Sequence, residues 1–452
     1  MKNKLKSEQI IPLSFLIAII VGTLLLMLPI ATADGQGTDI VTALFTATTS
    51  ICVTGLVVVD TFAYWSLFGK IVILIMIQLG GLGIITVTSV LMLMIQRKFS
   101  LSQSLMLHDA FNLNSMSGLI KFLGGVLKGT FVVEGLGALV YMIEFVPVYG
   151  PVGIWYSFFT AISAFCNAGI DILGPSSLVP YHSNTLVLVN TMVLIVLGGL
   201  GYVVWFDMMK SCVTGVRKKY NLKQIVKRFS EHTKTVLMLT LFLIILGSVA
   251  VFIMEYSNPK TLQFMSMKDK ILNSIFQSIT FRTAGFAAVP QQDLTDGTCL
   301  FGSLLMFIGG SPVGTAGGVK TMTFFLAMVN AVSFIRNRNE NVIFGRKVRS
   351  DLMHKSAAII TVSFMITFVF MILLVCIDKV PVVDGMYEMF SATATVGLSR
   401  ALTPRLSTCG RLLVIVAMYL GRIGPISMAL FFNNGSSDRN NISYAPGQFF
   451  VG

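Results

Sequence analysis

A short motif occurs four times along the chain at almost equal intervals. Each copy is a run of small or hydroxyl-bearing residues that ends in glycine and precedes one large apolar residue, at 49–56, 163–170, 279–286 and 391–398. The motif glycines are Gly55, Gly169, Gly285 and Gly397, which lie 114, 116 and 112 residues apart. Four related units in one chain predict a pseudo-fourfold arrangement in which the four motifs meet around one axis.

The composition places these units in a lipid bilayer. The 452 residues are 54% hydrophobic and only 12% charged, whereas soluble domains contain roughly 25% charged residues. Apolar runs at 11–30, 236–254 and 359–377 reach the length of about 20 residues that spans a hydrocarbon core. We therefore predict an all-α polytopic membrane protein with four helix–pore-loop–helix repeats around one ion pore.

Each repeat is predicted to contain a spanning helix, a short half-helix, the motif and a second spanning helix. The predicted repeats are 1–98, 99–212, 213–340 and 341–452, the last with a C-terminal tail, and their pore loops are 39–58, 151–172, 268–288 and 382–400. The paired spanning helices are predicted near 11–32 and 67–95, 118–146 and 185–209, 234–257 and 298–335, and 353–377 and 409–432.

Basic residues indicate the orientation. Lysine and arginine concentrate before the first helix and in the links between repeats, most densely at 210–234 and 336–355. By the positive-inside rule these segments and both termini face the cytoplasm, so the four motifs enter from outside. The formal net charge of +13 is then mainly a topology signal. Nucleic-acid binding is the weaker interpretation, because the basic clusters lie between spanning helices and contain few aromatic residues.

The residue types of the motif suit a desolvated cation. Backbone carbonyls can ligate such an ion where small residues allow close approach and glycine permits positive φ. A half-helix that ends at the motif would direct its partially negative C-terminus toward the ion. Close packing between helices is the alternative role of small residues, but four copies at near-equal spacing disfavour it. The predicted ion-binding residues, called the filter segments below, are Val53, Thr54, Gly55, Asn167, Ala168, Gly169, Thr283, Ala284, Gly285, Thr395, Val396 and Gly397.

A second glycine motif follows each filter segment by 24 to 29 residues. It reads Gly-Gly-Leu-Gly at 80–83 and 198–201, Gly-Gly-Ser-Pro at 309–312 and Gly-Arg-Ile-Gly at 421–424. Small residues here allow a wide pathway or a bend. An arginine within an apolar helix faces a water-filled cavity by default, so Arg422 is expected to project into the pathway as a barrier to cations. Snorkelling, or pairing with a buried acid, is the alternative.

The third repeat contains a glycine-rich loop at 309–321. Five glycines and a proline in this stretch cannot form a stable helix interior, so we predict a loop that crosses the pathway as a gate. A nucleotide-binding phosphate loop is the rival interpretation, but Val319 separates the glycine from the lysine and the flanks are membrane helices. The predicted gate residues are Gly309, Gly310, Ser311, Pro312, Gly314, Thr315, Gly317, Gly318, Lys320 and Arg422.

The filter segments, the glycine-rich loop and Arg422 together resemble the bacterial Trk/Ktr/HKT potassium transporters over essentially the whole chain, most closely the Ktr membrane subunits of the KtrB group. The resemblance implies potassium uptake through a channel-like pore in the bacterial plasma membrane. It also implies a homodimer with one pore per protomer and a cytosolic nucleotide-binding ring of KtrA- or KtrC-like subunits that opens the gate. Sodium would stimulate transport, and ATP or ADP would act on the ring, while this chain itself binds no cofactor.

Some features depart from the family pattern or leave an alternative open. Each filter segment has one glycine, which predicts modest discrimination against sodium. Arg400 adds a cation outside the fourth filter segment that could lower conductance, and the C-terminus lacks the family's Tyr-Pro-Glu ending. Glu134 could face a neighbouring repeat, and Asp171 could attract cations. The alternative function is a sodium- or proton-coupled secondary transporter. An enzyme is not expected, because no catalytic constellation is present.

Overall fold

The computed structural model describes residues 7–83, 116–337 and 340–424. The regular secondary structure of this part of the chain is helical apart from one short hairpin, in which β1 (Val342–Ile343) pairs with β2 (Arg346–Lys347) in antiparallel fashion. The predicted all-α class is therefore confirmed. The helices are α1 Ser7–Leu26, α2 Ile40–Ile51, α3 Thr61–Tyr64, α4 Leu67–Leu82, α5 Met116–Tyr149, α6 Val152–Cys166, α7 Thr185–Leu200, α8 Tyr202–Arg217, α9 Leu222–Lys227, α10 Glu231–Glu255, α11 Met267–Phe281, α12 Asp296–Phe307, α13 Thr321–Ile335, α14 Ser350–Asp378, α15 Val382–Thr393 and α16 Thr408–Ile423.

The same order of elements recurs four times. A half-helix (α2, α6, α11 or α15) precedes each filter segment with at most one residue between them, and a second helix (α4, α7, α12 or α16) follows. Each second helix begins at a polar residue whose side chain accepts a hydrogen bond from the backbone N–H three positions further on, which fixes where the helix starts. These caps are Ser66, Asn184, Thr295 and Ser407.

The half-helices form the core, and the long helices surround them. Phe45, Phe159 and Tyr387, each ten residues before a filter glycine, are fully buried on α2, α6 and α15. By contrast, Leu139 on α5 and Leu241 on α10 are about 60% exposed. An apolar exterior around a buried, partly irregular backbone is the arrangement that a bilayer requires.

Three described helices are long and apolar enough to cross a membrane unaided: α10, α14 and the 122–149 part of α5. Helices α7 and α8 form a fourth candidate span, but they are bent by 98°. The prediction of one continuous helix over 185–209 is therefore wrong, because Gly201 adopts a φ of 87° and ends α7. The predicted extensions of α4 to 95 and of α16 to 432 lie outside the described residues.

The second glycine motif explains where these helices end. Its last glycine has positive φ in three repeats, at Gly83 (80°), Gly201 (87°) and Gly424 (88°), and each of these residues terminates a helix. Of the two alternatives, a wide pathway or a bend, the bend is observed at Gly201. In the third repeat Pro312 takes this position, and 308–320 is not helical.

The first glycine of the same motif serves close packing. Gly80, Gly198 and Gly421 touch the carbonyl oxygens of Ile51, Phe165 and Thr393 so closely that an added β-carbon would collide with them. Those carbonyls belong to the last turns of α2, α6 and α15. These glycines therefore bring each second helix against the end of its half-helix, and they do not widen a pathway as the sequence had suggested.

Candidate ion pathway

The four filter glycines meet in a closed ring. Each one packs against the middle carbonyl oxygen of another filter segment, so closely that the backbone leaves no room for a β-carbon. Because the contacts follow the order of the repeats and close on the first one, the segments are related by a fourfold pseudosymmetry. The contacts run from Gly55 to Ala168, from Gly169 to Ala284, from Gly285 to Val396 and from Gly397 back to Thr54.

The backbone of the filter segments has an alternating conformation. Each segment starts with a non-glycine residue of positive φ and ends with a glycine of positive φ, between 63° and 100°, while the middle residue lies outside that region. Alternating signs of φ turn successive carbonyls toward the same side of the chain. Positive φ at residues other than glycine is strained by about 1–3 kcal/mol and tends to occur at functional sites. The four starting residues are Val53 (54°), Asn167 (59°), Thr283 (70°) and Thr395 (53°).

Hydroxyl side chains brace this conformation. A threonine or serine five or six residues before each filter glycine bonds either that glycine's N–H or the carbonyl of the following residue. The prediction of site residues missed these four hydroxyls, although the hydroxyl-rich run of each motif was the signal for them. The bonds join Thr49 Oγ1 with Gly55 N (2.9 Å), Ser391 Oγ with Gly397 N (3.0 Å), Ser163 Oγ with Ile170 O (2.5 Å) and Thr280 Oγ1 with Phe286 O (2.6 Å).

The ring also contains unpaired oxygens. The hydroxyls of Thr54, Thr283 and Thr395 are buried and have no hydrogen-bond partner among the described residues. Leaving a buried polar group unpaired costs about 1–3 kcal/mol, so such groups call for a physical reason. A bound, desolvated cation would be such a reason, because it takes oxygen ligands. The C-termini of the four half-helices also point partial negative charge at the same place.

The glycine-rich loop is held against repeat two, next to the end of half-helix α6. The N–H of Ser311 donates to the carbonyl of Gly199 (2.9 Å), and that of Thr315 donates to Gly198 (3.2 Å). The hydroxyl of Thr315 donates to the carbonyl of Phe165 (3.1 Å) in the last turn of α6. The loop is therefore anchored where α7 approaches its bend.

The same loop reaches the fourth filter segment. Gly317 packs directly on the side chain of Thr395, the first residue of that segment. The ends of the loop are tied together by a bond from the N–H of Gly309 to the carbonyl of Val319 (2.9 Å), and Lys320 Nζ donates to the carbonyl of Ala316 (2.6 Å). The loop thus extends from repeat two to repeat four. It lies next to the first residue of the fourth filter segment.

Arg422 lies beside this loop. Its Nη1 donates to the carbonyl of Thr315 (2.6 Å), and its Nη2 donates to the carbonyl of Gly80 in α4. Within the described part of the chain it forms no ion pair with an acid, so its charge is held by backbone carbonyls. Its action as a barrier to cations stays a prediction.

Arg400 is not a free cation. Its Nη1 lies 2.7 Å from Asp384 Oδ1 and 3.0 Å from Asp296 Oδ1, and its side chain is only 14% exposed. The two carboxylates offset its charge, and the effect of Arg400 on conductance stays a prediction. Sequence reasoning missed the contact with Asp296, because Asp296 lies in another repeat.

Two carboxyl groups near the filter segments differ in environment. Glu134 on α5 accepts a hydrogen bond from Gln78 Nε2 on α4 (3.2 Å), so it faces a neighbouring repeat as expected. Asp171, two residues after the second filter glycine, is half-buried and accepts a bond from the N–H of Leu173 (3.3 Å). Burial raises the pKa of Asp171 to about 6.

Comparisons with known proteins identify the family of the chain. The family model TrkH, described as a cation transport protein, matches residues 6–442. The chain is 37% identical to the Ktr system potassium uptake protein B of Bacillus subtilis (98% of this chain, 96% of the relative). It is 33% identical to the potassium/sodium uptake protein NtpJ of Enterococcus hirae (94% and 93%).

A solved structure has the same fold. The potassium transporter TrkH from Vibrio parahaemolyticus superposes with a TM-score of 0.71 over 96% of this chain and 86% of that chain, at 16% identity. The fold and the match of the family model over nearly the full length lead to one conclusion: this chain belongs to the TrkH family of cation transport proteins.

Proposed function

We propose that this chain is the ion-conducting subunit of a potassium uptake system and that potassium crosses the bacterial plasma membrane through the ring of filter segments. The observation that carries the proposal is the closed ring in which each filter glycine packs on the middle carbonyl of another segment. Relatives that are 37% and 33% identical are named for potassium uptake and for potassium or sodium uptake. These names support potassium as the cargo.

Selectivity follows from the ring. The filter carbonyls replace the hydration shell of the ion, and the unpaired hydroxyls of Thr54, Thr283 and Thr395 add oxygens within the same three-residue segments. Each segment offers only a short row of carbonyls, so the number of ion sites is small and discrimination against sodium is modest. The name of the Enterococcus hirae relative, which includes sodium, is in line with this expectation.

The glycine-rich loop and Arg422 act as the gate. In the described conformation the loop bridges repeats two and four, and Arg422 joins it to repeat one. Opening requires the loop to move. A cavity beside Gly318 and Val319, bounded by Ser363 and Thr367 on α14, offers space into which it can move.

Regulation is proposed to come from the cytoplasmic side. Three relatives are named as proteins of a Ktr system, which supports an assembly with further components. The proposed assembly has a cytosolic ring of KtrA- or KtrC-like subunits, ATP or ADP on that ring, and a homodimer of this chain. A suitable surface is formed by the basic link between repeats, where Arg346 of the hairpin pairs with Glu231 at the start of α10 (3.0 Å). Stimulation by sodium is part of the same proposal.

A carboxylate-coupled carrier finds less support in the geometry. Coupled transporters place ion-binding groups at matching positions of their repeats. Three buried carboxylates of the described residues occupy unlike positions: Glu134 lies within α5, Glu255 is the last residue of α10, and Glu388 lies on half-helix α15. Glu255 is also fully engaged by hydroxyls, among them those of Thr295 and Thr298.

The test is rubidium uptake in a bacterium deficient in potassium transport that expresses the chain with its ring partner. Gly285→Ser and Gly397→Ser should lose selectivity for potassium and rubidium over sodium, because both glycines have positive φ and no room for a side chain. Gly297→Ser is the matched control, because no atom lies within 4 Å of the position where its β-carbon would sit. Unchanged selectivity in both filter variants, at normal protein levels, would favour the coupled carrier instead.

A further inference from the structure

Arg282 is a buried cation without a matching charge. It stands directly before the third filter segment, where the other three repeats carry Cys52, Cys166 and Ala394. Only 9% of it is exposed. Its Nη2 donates to the carbonyl of Gly309 over a long 3.4 Å, and its Nε–H has no partner among the described residues.

The positive charge of Arg282 also lacks an acidic partner. Within the described ranges no acid forms an ion pair with Arg282. A buried guanidinium that lacks both a counter-charge and full hydrogen bonding is strongly unfavourable. Arginine cannot lose its proton under ordinary conditions. The positive charge of its guanidinium therefore has to be offset by a neighbouring group or ion.

The space beside Arg282 is a small cavity between α7, α10 and α11, where repeats two and three meet. Its wall is mostly apolar or glycine, as at Ile195, Gly199 and Ile244. Thr240 on α10 also lines it, is 8% exposed, and has a hydroxyl without a hydrogen-bond partner among the described residues. Two side chains with an unpartnered polar group therefore line one cavity that has room for about one water-sized particle.

We propose that this cavity binds a monovalent halide, chloride in the cell, held by the Nε–H of Arg282 and the hydroxyl of Thr240. The Nε–H of Arg282 can only donate and the hydroxyl of Thr240 can donate as well, so the occupant has to accept hydrogen bonds. A water molecule would satisfy the bonds but would leave only the partial negative charge at the C-terminus of α11, which Arg282 caps, to offset the guanidinium. The narrow part of the cavity takes a particle of about the size of water, and chloride is only slightly larger than water.

Such an ion would act on the neighbouring pathway. Arg282 adjoins Thr283 of the third filter segment and bonds Gly309 of the glycine-rich loop. A bound halide would offset the positive charge at this point, which otherwise repels cations in the ring. The anion site itself rests on burial and hydrogen bonding alone and does not depend on the transport proposal.

The direct test uses bromide as the probe. The structure of the full-length protein, prepared in bromide buffer, is determined with anomalous scattering at the bromine absorption edge. We expect an anomalous peak within hydrogen-bonding distance of Arg282 Nε and Thr240 Oγ1 in wild type, and a weaker or missing peak in Thr240→Val. Density for water without an anomalous signal would overturn the proposal, and so would peaks at surface lysines alone, which mean an adventitious ion only.

A second measurement compares thermal unfolding in chloride and in gluconate at equal ionic strength. Chloride should raise the Tm of wild type by about 2 °C or more, as expected for a ligand that binds only the folded state. The shift should disappear in Thr240→Val and in Arg282→Gln. Thr235→Val is the matched control, because Thr235 lies on the same helix but bonds the carbonyl of Glu231. An equal shift in all four proteins would overturn the site, whatever the outcome of the uptake experiment.

Discussion

The guanidinium of Arg422 donates from Nη1 to the carbonyl oxygen of Thr315 across 2.6 Å. Thr315 belongs to the glycine-rich loop of the third repeat, and the other terminal nitrogen of Arg422 bonds Gly80 of the first repeat. One side chain of the fourth repeat thus connects three of the four repeats. The loop cannot leave its place without breaking this bond or taking Arg422 with it.

Removal of this link should favour the open state. Hydrogen bonds to charged groups contribute about 1.5–3 kcal/mol, so Arg422→Ala should raise rubidium uptake in the absence of the ring partner by about 10-fold. The control is Arg411→Ala on the same helix, because Arg411 bonds the carbonyl of Pro404 and not the loop. Equal uptake by the two variants in vesicles with matched protein content would contradict a gating role for Arg422.

The filter ring should be intolerant of a single methyl group. Gly397 has a φ of 97°, and a β-carbon there would collide with the carbonyl of Thr54. We expect Gly397→Ala to reduce the preference for rubidium over sodium at least about 10-fold, because displacing one segment disturbs its neighbour and the strain costs about 1–3 kcal/mol. Gly297→Ala should leave uptake unchanged. Competition of sodium against rubidium uptake measures the effect, and equal ratios in both variants would count against the ring.

The ion pair between Arg400 and Asp384 should tune cation attraction outside the filter ring. Arg400→Ala leaves the carboxylates of Asp384 and Asp296 without their partner, so the local potential becomes more negative. The apparent KM for potassium should fall about twofold at low ionic strength, and the difference should shrink at high salt. Arg400→Ala combined with Asp384→Asn should return the KM toward wild type. A higher KM in Arg400→Ala would mean that the arginine positions the segment and does not set its potential.

The existence of the ring could be predicted from the sequence because four motifs with glycine at near-equal spacing leave few other arrangements. The positive φ of Val53 and Thr395 could not, because β-branched residues rarely adopt it and only the surrounding contacts impose it. For Gly201, the sequence allowed two outcomes of the small-residue motif, a wide pathway or a bend. Which of them occurs depends on the loop residues that pack against Gly201.

Contacts between repeats were the least predictable part. The partner of Arg400 that lies in another repeat, Asp296, is 104 residues away in sequence, and no local pattern links them. The other three motifs have a small residue at the position of Arg282. The arginine is therefore visible as an exception in the sequence, but no local pattern explains it. Its cavity is formed by three helices from two repeats, and only the folded chain brings them together.

A lower external pH should weaken potassium uptake, because it protonates Asp171. Burial raises the pKa of this carboxyl to about 6, so it is about 90% ionised at pH 7 and about 10% ionised at pH 5. Protonation removes a negative charge two residues beyond the second filter glycine, which lowers the attraction for cations. The KM for potassium should therefore rise as the external pH falls from 7 to 5, with a midpoint near 6. Asp171→Asn should abolish this dependence and behave at pH 7 as wild type does at pH 5.

The control for this titration is Asp34→Asn. Hydrogen bonds from the backbone of Gln36 and the side chain of Thr32 lower the pKa of Asp34, so this carboxylate stays ionised throughout the pH range and its loss should not change the midpoint. Asp60 is the neighbouring acid that raises the pKa of Asp171 by repulsion. Asp60→Asn should therefore shift the midpoint to lower pH without removing the dependence. If Asp171→Asn keeps the wild-type midpoint, another group near the filter segments carries the titration.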